Sequence, residues 1–336
     1  MMKITYSNNF ILKKTSSILK VVLPLLIGVI LVWYSLSKIS ISELVQYFKD
    51  ANYLWIGLGV IFGIISHISR AYRWLFMTEP LGFKPRFANS LMSVYSAYLI
   101  NFTIPRAGEV ARASILSNYE KVPFEKGFGT IVSERIADLI LMAGIILITL
   151  FLQFDFIYSF LIAKFNLTKI LIGLVAFAVL VFGVLKIIKQ SDLPIAKKIK
   201  YFLKGLIEGV FSIFKMDKKW PFIFHSLFIW VMYVLMFYAT SLAVEELHAI
   251  SMGAILIGFI SASFSIAATN GGIGSYPLAI YAAFSIFGIA KEPSLAFGWI
   301  IWSSQTLMII LLGGLSLIYL PIYNRKAQKK SILKQE

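Results

Sequence analysis

Repeated stretches of mostly apolar residues are the feature that most limits how this chain can fold. Several hold about 17 or more such residues, enough to cross a hydrocarbon core of about 30 Å as an α-helix. The alternating pattern of an outer-membrane barrel does not occur. Hydrophobic residues make up 59% of the chain and charged residues only 14%, against about a quarter charged in an ordinary soluble domain. The sequence therefore predicts an all-α, polytopic helical membrane protein.

Six of these stretches are predicted to be full transmembrane spans. They cover residues 19–37, 53–69, 136–154, 169–188, 222–243 and 295–320. No small-residue cleavage site follows the first one, so we expect it to be retained. The chain then divides into a basic N-terminus, a transmembrane domain of two halves joined by a basic amphipathic segment, and a basic tail. Their ranges are 1–18, 19–320 (halves 19–188 and 222–320, joined by 189–219) and 321–336.

The distribution of lysine and arginine predicts which side of the membrane each connection faces. The segments rich in these residues, and so predicted to be cytoplasmic, are 1–18, 70–87 with Arg70 and Arg73, 189–219 and 321–336. The connections 155–168 and 244–251 contain few of them and are predicted to face outward. We therefore expect both termini in the cytoplasm of a multi-pass protein of the cell (inner) membrane.

The apolar stretch 87–104 cannot cross the membrane alone, because the segment before it and the start of span 136–154 are both predicted to be inside. Its return arm carries Arg106, Glu109 and Arg112. Such an arm is too charged for lipid contact but is acceptable where backbone lines a protein cavity. The sequence therefore favours a re-entrant helical hairpin over a second full span.

Residues 252–288 must likewise begin and end on one side of the membrane, here the outside. Two full spans fit here, and so does a hairpin, which we favour because three glycines and a proline in "ATNGGIGSYP" interrupt the apolar run. One hairpin would then enter from each side, in the inverted-repeat arrangement that places a binding site near the midplane in secondary transporters. We predict about six full spans plus two re-entrant helical hairpins.

Two charged motifs interrupt this apolar background, "NFTIPRAGEVARASIL" at 101–116 and "SERIAD" at 133–138. If a helix starts after Pro105, the residues Arg106, Glu109 and Arg112 share one face, where Glu109 can pair with either arginine. In the second motif, Glu134 and Asp138 are one turn apart and Arg135 precedes Asp138 by three residues.

These charges have two compatible interpretations. They can be structural ion pairs that hold a hairpin to its neighbour, since embedded charge is usually paired. They can also form a cationic seat for a lipid phosphate, in which Arg106, Arg112 or Arg135 supplies bidentate hydrogen bonds and the carboxylates orient them. Asn101 belongs to a polar row before the first motif, which favours a lined cavity.

The glycine motif in the second hairpin also has two interpretations. Asn270, Gly271, Gly272 and Gly274 could present backbone N–H groups to an anion at the start of a half-helix. They could equally form a plain turn. A dinucleotide-binding fingerprint is disfavoured because no strand precedes the glycines.

Several kinds of site are excluded or disfavoured by composition. The chain has no cysteine and only three histidines, which lack ligand spacing, so we expect neither a metal site nor a cofactor. No GxxxxGK loop for ATP occurs. The net charge of +16 is explained by topology and anionic lipid rather than by nucleic acid.

The combination of "NFTIPRAGEVARASIL", "SERIADLIL" and "NGGIGSYPLA" resembles the transmembrane region of lysylphosphatidylglycerol synthases, a flippase-like family, over residues of about 20 to 320. In bifunctional members this region moves an aminoacylated phospholipid between leaflets, and some archaeal members take part in dolichol-linked glycosyl transfer. Because no synthase domain is recognised here, the resemblance implies lipid handling and not aminoacyl transfer. The positions it points to are Pro105, Arg106, Gly108, Glu109, Arg112, Glu134, Arg135, Asp138, Gly271, Gly272 and Gly274.

One departure from the family bears on the substrate. Members often carry an acidic residue shortly after the glycines, whereas this chain has Ser275, Tyr276 and Pro277. If that acid recognises a cationic headgroup, this protein moves a different lipid or none.

We predict a lipid flippase or transporter that binds a phospholipid or polyprenyl-lipid headgroup, without catalytic residues. The alternatives are a membrane glycosyl or phosphoglycosyl transferase using Glu109, Glu134 or Asp138 as base or metal ligand, or a non-catalytic accessory subunit. The expected partners are membrane lipids with an anionic or polyprenyl-linked headgroup. Two further partners stay open: a second copy of the chain and a separate lipid-synthesising enzyme.

Overall fold

The computed structural model describes residues 26–164, 167–191, 193, 194, 197, 200 and 216–332. Their regular structure is entirely helical, without strands. The helices are α1 Leu26–Leu36, α2 Ile41–Asp50, α3 Tyr53–Thr78, α4 Phe87–Thr103, α5 Ala107–Glu120, α6 Phe124–Leu152, α7 Phe154–Lys164, α8 Leu167–Gln190, α9 Lys219–Ser241, α10 Met252–Ala268, α11 Ser275–Ser285 and α12 Lys291–Ile332, with short 3-10 helices at Glu79–Leu81 and Glu245–Leu247.

The chain forms two compact units. The first combines the residues up to Ile131 with those from Pro221 onward, and the second is Val132–Trp220. Each unit is described by itself. The predicted N-terminal segment 1–18 and most of the predicted joining segment 189–219 lie outside the described residues.

Four helical stretches are long and apolar enough to cross a membrane, Tyr53–Leu81, Phe124–Leu152, Lys219–Ser241 and Lys291–Arg325. A fifth results if α1 and α2, which are bent by 83° relative to each other, form one broken span. The predicted multi-pass helical membrane protein is therefore confirmed. Helix α8 covers the predicted span 169–188 but is not among these four, and the number of six spans stays a prediction.

Helix α2 was not predicted from the sequence, although its start carries a recognisable signal. The Ser40 hydroxyl accepts the backbone N–H of Glu43, and the Glu43 carboxylate accepts the N–H of Ser40. This reciprocal capping box satisfies two N–H groups that a helix end leaves unpaired. It starts a new helix directly after the bend, so the apolar run of α1 ends at Leu36.

Helix α3 continues well beyond the predicted span 53–69. Arg70 and Arg73, assigned above to a cytoplasmic segment, therefore lie within this helix and are buried. Arg73 Nη1 donates to the Ser226 hydroxyl at 2.9 Å, and Arg70 Nη2 donates to the Tyr233 hydroxyl at 3.4 Å. The span is therefore longer than predicted and both arginines are buried, because α9 brings hydroxyl groups to each guanidinium; the cytoplasmic side of segment 70–87 stays a prediction.

Two pairs of short helices form hairpins. The first consists of α4 and α5, and the second of α10 and α11; the helices of each pair pack against each other. Helices α5 and α11 have 14 and 11 residues, so they are about 21 and 16 Å long, well short of a hydrocarbon core of about 30 Å. These lengths favour the hairpin interpretation of 252–288 over two full crossings, and the number of crossings stays a prediction.

The two hairpins approach each other from opposite ends of α12. The base of the first hairpin contacts the end of α12, where Asn89 Nδ2 donates to Asn324 Oδ1 at 2.9 Å. The second hairpin leads directly into the start of α12 through residues 286–290. Between these two ends, Trp302 Nε1 donates to the Gly271 carbonyl at the tip of the second hairpin. Helix α12 is therefore the shared support of both hairpins.

Four polar side chains join the base of the first hairpin to α12, and we call them the base clamp: Arg86, Asn89, Glu120 and Asn324. Arg86 Nε contacts Glu120 Oε1 at 2.8 Å. The amides of Asn89 and Asn324 exchange two hydrogen bonds of 2.9 and 2.8 Å, and Asn89 also donates to Glu120. Both asparagines are fully buried, so the clamp satisfies polar groups that would otherwise be costly to bury.

Candidate functional site

The tips of the two hairpins meet in the first unit. Asn270 Nδ2 donates to the Phe102 carbonyl at 2.7 Å, which joins the second tip to the first. A Cβ atom on Gly271 would lie 2.8 Å from Cε1 of the Phe102 ring, so only glycine allows this approach. Of the predicted site residues, the structure brings together Asn101, Arg106, Glu109, Asn270, Gly271, Gly272 and Gly274 at or beside the two tips.

The first tip is shaped by residues 104–108. Arg106 has φ of 62° and is the N-cap of α5, a left-handed conformation that costs a non-glycine residue about 1–3 kcal/mol. Its side chain is exposed. Because Arg106 precedes the helix, the prediction that it shares one helical face with Glu109 and Arg112 was wrong. The turn at 105–106 begins the helix one residue later than the proline spacing indicated.

Asn101 holds this turn closed. Its Oδ1 accepts the Gly108 N–H at 2.7 Å, and its Nδ2 lies 3.5 Å from Glu109 Oε2. A Cβ on Gly108 would collide with the Ala97 carbonyl of the facing helix. Asn101 therefore orients a half-buried carboxylate beside the exposed guanidinium of Arg106.

Arg112 lies two turns into α5 and is only 3% exposed. Its guanidinium stacks 3.8 Å above the ring of Trp74, and Trp74 Nε1 donates to Thr130 Oγ1 at 2.8 Å. A desolvated cation above an indole face is stabilised by about 2 kcal/mol. This contact supports the structural interpretation of Arg112, and its role in headgroup binding stays a prediction.

The second tip contains three glycines with positive φ, Gly271 at 65°, Gly272 at 75° and Gly274 at 69°. A Cβ on Gly274 would collide with the backbone of α1. The Gly272 carbonyl accepts the Tyr276 N–H at 2.9 Å, and the Ser275 hydroxyl lies 2.8 Å from that of Ser265. These bonds support the turn interpretation, and anion binding by the glycine backbone stays a prediction.

The second charged motif belongs to the second unit, on α6. Glu134 is fully buried and Asp138 nearly so. Arg135 Nη1 lies 3.8 Å from Asp138 Oδ2, the i,i+3 pair expected from the sequence, at a distance that is long for a direct hydrogen bond. The motif is therefore helical as predicted, and its contact with a ligand stays a prediction.

An acidic cavity lies at the end of the first unit where α12 begins. Its volume is about 730 Å³, and it is lined by Glu43, Gln46, Tyr47, Asp50, Glu246, Ile289, Ala290, Glu292 and Pro293. Tyr47 Oη donates to Glu246 Oε1 at 3.0 Å. The carboxylates repel anions, so we do not expect a phosphate headgroup here.

Sequence reasoning missed a polar cluster around His67 in the interior of the first unit. Tyr95 and Tyr98 of α4 and Tyr233 of α9 pack around its imidazole ring. The sequence offers one signal, the spacing of His67 and Arg70 by about one turn inside an apolar helix. The sequence contains no signal that α9 supplies the facing tyrosine.

These features together define an integral membrane protein of helical type in which two hairpins meet beside a shared helix. The sequence profile of the lysylphosphatidylglycerol synthase TM region family matches residues 21–314, and the chain belongs to this family. It is 25% identical over 311 residues to the UPF0104 membrane protein of Methanocaldococcus jannaschii, covering 83% of this chain and 88% of that protein.

A second relative is matched over a shorter stretch. Glycosyltransferase AglD of Haloferax volcanii is 24% identical over 105 residues, which is 31% of this chain and 17% of that protein. No solved structure matches the chain.

Proposed function

We propose that the protein is a lipid transporter that binds the headgroup of a phospholipid or polyprenyl lipid and moves it between leaflets. The observation that carries the proposal is the meeting of the two hairpin tips through Asn270 and Phe102. Hairpins that enter from opposite faces and meet near the midplane, as in an inverted repeat, form a barrier that either one can open. The lipid tails stay in the bilayer while the headgroup passes.

The magnitudes fit such a gate. Moving a charged headgroup through hydrocarbon without protein contacts costs at least about 3 kcal/mol. The direct polar link between the tips is one hydrogen bond, which has a net value of about 1 kcal/mol. Breaking this hydrogen bond therefore costs less than the unassisted crossing of the headgroup.

Arg106 is the residue we expect to meet the phosphate first. It is exposed at the first tip, and a guanidinium binds phosphate oxygens in bidentate geometry. In this proposal Glu109 and Asn101 orient the tip, the glycine backbone of 271–274 faces the headgroup from the other side, and Arg112 supplies charge behind the tip. A headgroup contact of Glu134, Arg135 and Asp138 in the second unit stays a prediction.

The test is a proteoliposome assay with a fluorescent phospholipid, combined with native mass spectrometry of co-purified lipid. We expect Arg106→Ala to lower the initial transport rate at least tenfold and to lose a bound lipid species. Arg325→Ala removes an exposed arginine at the far end of α12 and serves as the matched control. Equal rates and equal lipid in wild type and Arg106→Ala would overturn the proposal.

A second candidate function is supported by the partial match to a glycosyltransferase. In that case Glu109 would act as a base toward a lipid-linked substrate. Incubation with polyprenyl phosphate and a nucleotide sugar, with and without a divalent metal, separates the two functions. Product that forms in the wild type but not in Glu109→Gln would favour the transferase.

A further inference from the structure

The polar cluster around His67 is built from three helices of the first unit. The ring of His67 on α3 lies 5.5 Å from the ring of Tyr95 and 4.5 Å from that of Tyr98, both on α4. The ring of Tyr233 on α9 lies 6.3 Å away. We call these four side chains the tyrosine cluster. It lies between α3, α4 and α9, away from the tip of the first hairpin.

Two atoms of this cluster are buried without a hydrogen-bond partner among the described residues, His67 Nδ1 and Tyr95 Oη. The two side chains are only 6% and 5% exposed. Leaving such atoms unpaired is costly, and native proteins rarely do so without a functional reason. Phenylalanine would fill the same space without this cost. Packing alone therefore does not explain why these two positions carry polar atoms. The unpaired atoms indicate a ligand.

A third orphaned atom lies close by on α12. Gln305 Nε2 is buried and has no partner within the described part of the chain. Its Oε1 lies 2.6 Å from where a Cβ of Gly63 would be, one turn before His67 on α3. The absence of a side chain at Gly63 thus lets a polar amide approach the floor of the cluster.

The other side of the cluster is a rim of two half-buried tyrosines. The hydroxyls of Tyr98 and Tyr233 are 3.4 Å apart, and Arg70 Nη2 donates to Tyr233 at 3.4 Å. A guanidinium can only donate, so Tyr233 accepts from Arg70, and its own hydroxyl hydrogen is not used in that contact. The rim therefore offers hydroxyl donors, which suit a ligand rich in acceptor oxygens.

The sign of the ligand charge follows from two opposed effects. Aromatic faces attract cations, which would favour an ammonium headgroup. Arg70 lies about one helical turn from His67 and in contact with the rim, and its full charge at this range outweighs a ring quadrupole. An anion is therefore favoured over a cation.

We propose that the tyrosine cluster is a binding site for a phosphate ester, with His67 Nδ1 and Tyr95 Oη as donors at its floor. The proposal rests on the proposed function and deepens it, because it assigns a second phosphate position behind the tip. A lipid headgroup and free inorganic phosphate present the same acceptor oxygens, and the experiment separates these two sources.

The test measures binding and stability without transport. Purified protein in detergent is titrated with dihexanoyl phosphatidylglycerol, dihexanoylglycerol, which lacks the phosphate, and inorganic phosphate. The variants are Tyr95→Phe and His67→Phe, which remove the orphaned atoms and keep the rings. Tyr281→Phe is the matched control, since Tyr281 packs against the start of α12.

We expect Tyr95→Phe and His67→Phe to weaken binding of the phosphate ligand at least tenfold, while the thermal midpoint of the free protein stays equal or rises. This pairing is the signature of a ligand-binding group, because a structural hydroxyl would lower the midpoint when removed. The control should change neither quantity. Selective binding of the phospholipid identifies a lipid headgroup as the source, and equal binding of inorganic phosphate identifies free phosphate.

Unchanged affinity in both variants would overturn the proposal, and so would equal binding of dihexanoylglycerol. The outcome is separable from that of the proposed function. Phosphate binding that depends on Tyr95 in a protein that moves no lipid contradicts only the transport function. If transport depends on Arg106 but the Tyr95→Phe variant binds the phosphate ligand normally, only the inner site is contradicted.

Discussion

Two adjacent glycines in α12 differ in whether the structure has room for an added methyl group. A Cβ on Gly313 would lie 2.7 Å from the Cβ of Leu99 and 2.8 Å from the Tyr95 carbonyl, whereas a Cβ on Gly314 would meet nothing within 4 Å. Gly313 is therefore the point where α4 and α12 approach backbone to backbone. Its neighbour has no such role, although the sequence presents the two as an identical pair.

We predict that Gly313→Ala lowers the thermal midpoint and that Gly314→Ala leaves it unchanged or raises it. Overpacking costs about 1–3 kcal/mol, while alanine in an open helical position gains about 0.5–1 kcal/mol over glycine. Thermal unfolding of the two variants in the same detergent measures the difference. Equal midpoints for the two would contradict the close contact between α4 and α12.

At the scale of elements, the first hairpin is held at its base and touches the second at its tip. The base clamp supplies two hydrogen bonds between the buried asparagines and one from the partly exposed Arg86 to Glu120, while one hydrogen bond joins the tips in the part of the chain that the structure describes. A hairpin fixed in this way moves most easily at its tip. In the proposed transport function, the first hairpin is therefore suited to act as a gate, because most of its polar contacts lie at its base and not at its tip.

We predict that Asn324→Leu destabilises the first hairpin by about 1–3 kcal/mol. The substitution removes the amide that donates to the buried Asn89 Oδ1, while Asn89 Nδ2 keeps its hydrogen bond to Glu120, and a buried polar group left unpaired costs about 1–3 kcal/mol. Hydrogen exchange of the α4 and α5 amides should speed up. Asn118→Leu, an exposed asparagine on the same hairpin, is the control, and equal exchange in both variants would contradict the clamp.

At the scale of the whole molecule, the orientation of the hairpins has a consequence for membrane topology. Their bases lie at opposite ends of α12, whose apolar stretch is long enough to cross a membrane. The acidic cavity lies at the same end as the base of the second hairpin. The positive-inside bias then predicts that the base of the first hairpin lies in the cytoplasm and the acidic end outside.

We predict that single cysteines at the two bases react from opposite sides of the membrane. Since the chain has no cysteine of its own, Lys84→Cys and Ala290→Cys can be labelled with an impermeant maleimide in sealed vesicles. Lys84→Cys should react from the cytoplasmic side and Ala290→Cys from the outside. Labelling of both from the same side would contradict opposed hairpins.

Much of the fold follows from local properties of the chain. The apolar runs determine helical membrane elements, because an unpaired backbone group in lipid is too costly. The charged arm after residue 104 and the glycines at 271–274 predict breaks for equally local reasons, and both breaks occur where expected. The motifs "RAGEVAR" and "NGGIG" are likewise local, which is why the tip residues could be named in advance.

What only the tertiary structure decided depends on contacts between distant segments. The sequence could not show that Asn270 would reach the Phe102 carbonyl, that Trp74 would cover Arg112, or that Arg70 and Arg73 would be buried against α9. The energy of a charge or an unpaired polar atom is set by the groups packed around it, and these come from other helices. The sequence by itself determined that the chain forms helical membrane elements and where the two hairpins break, and packing determined which polar groups became tips, clamp and interior cluster.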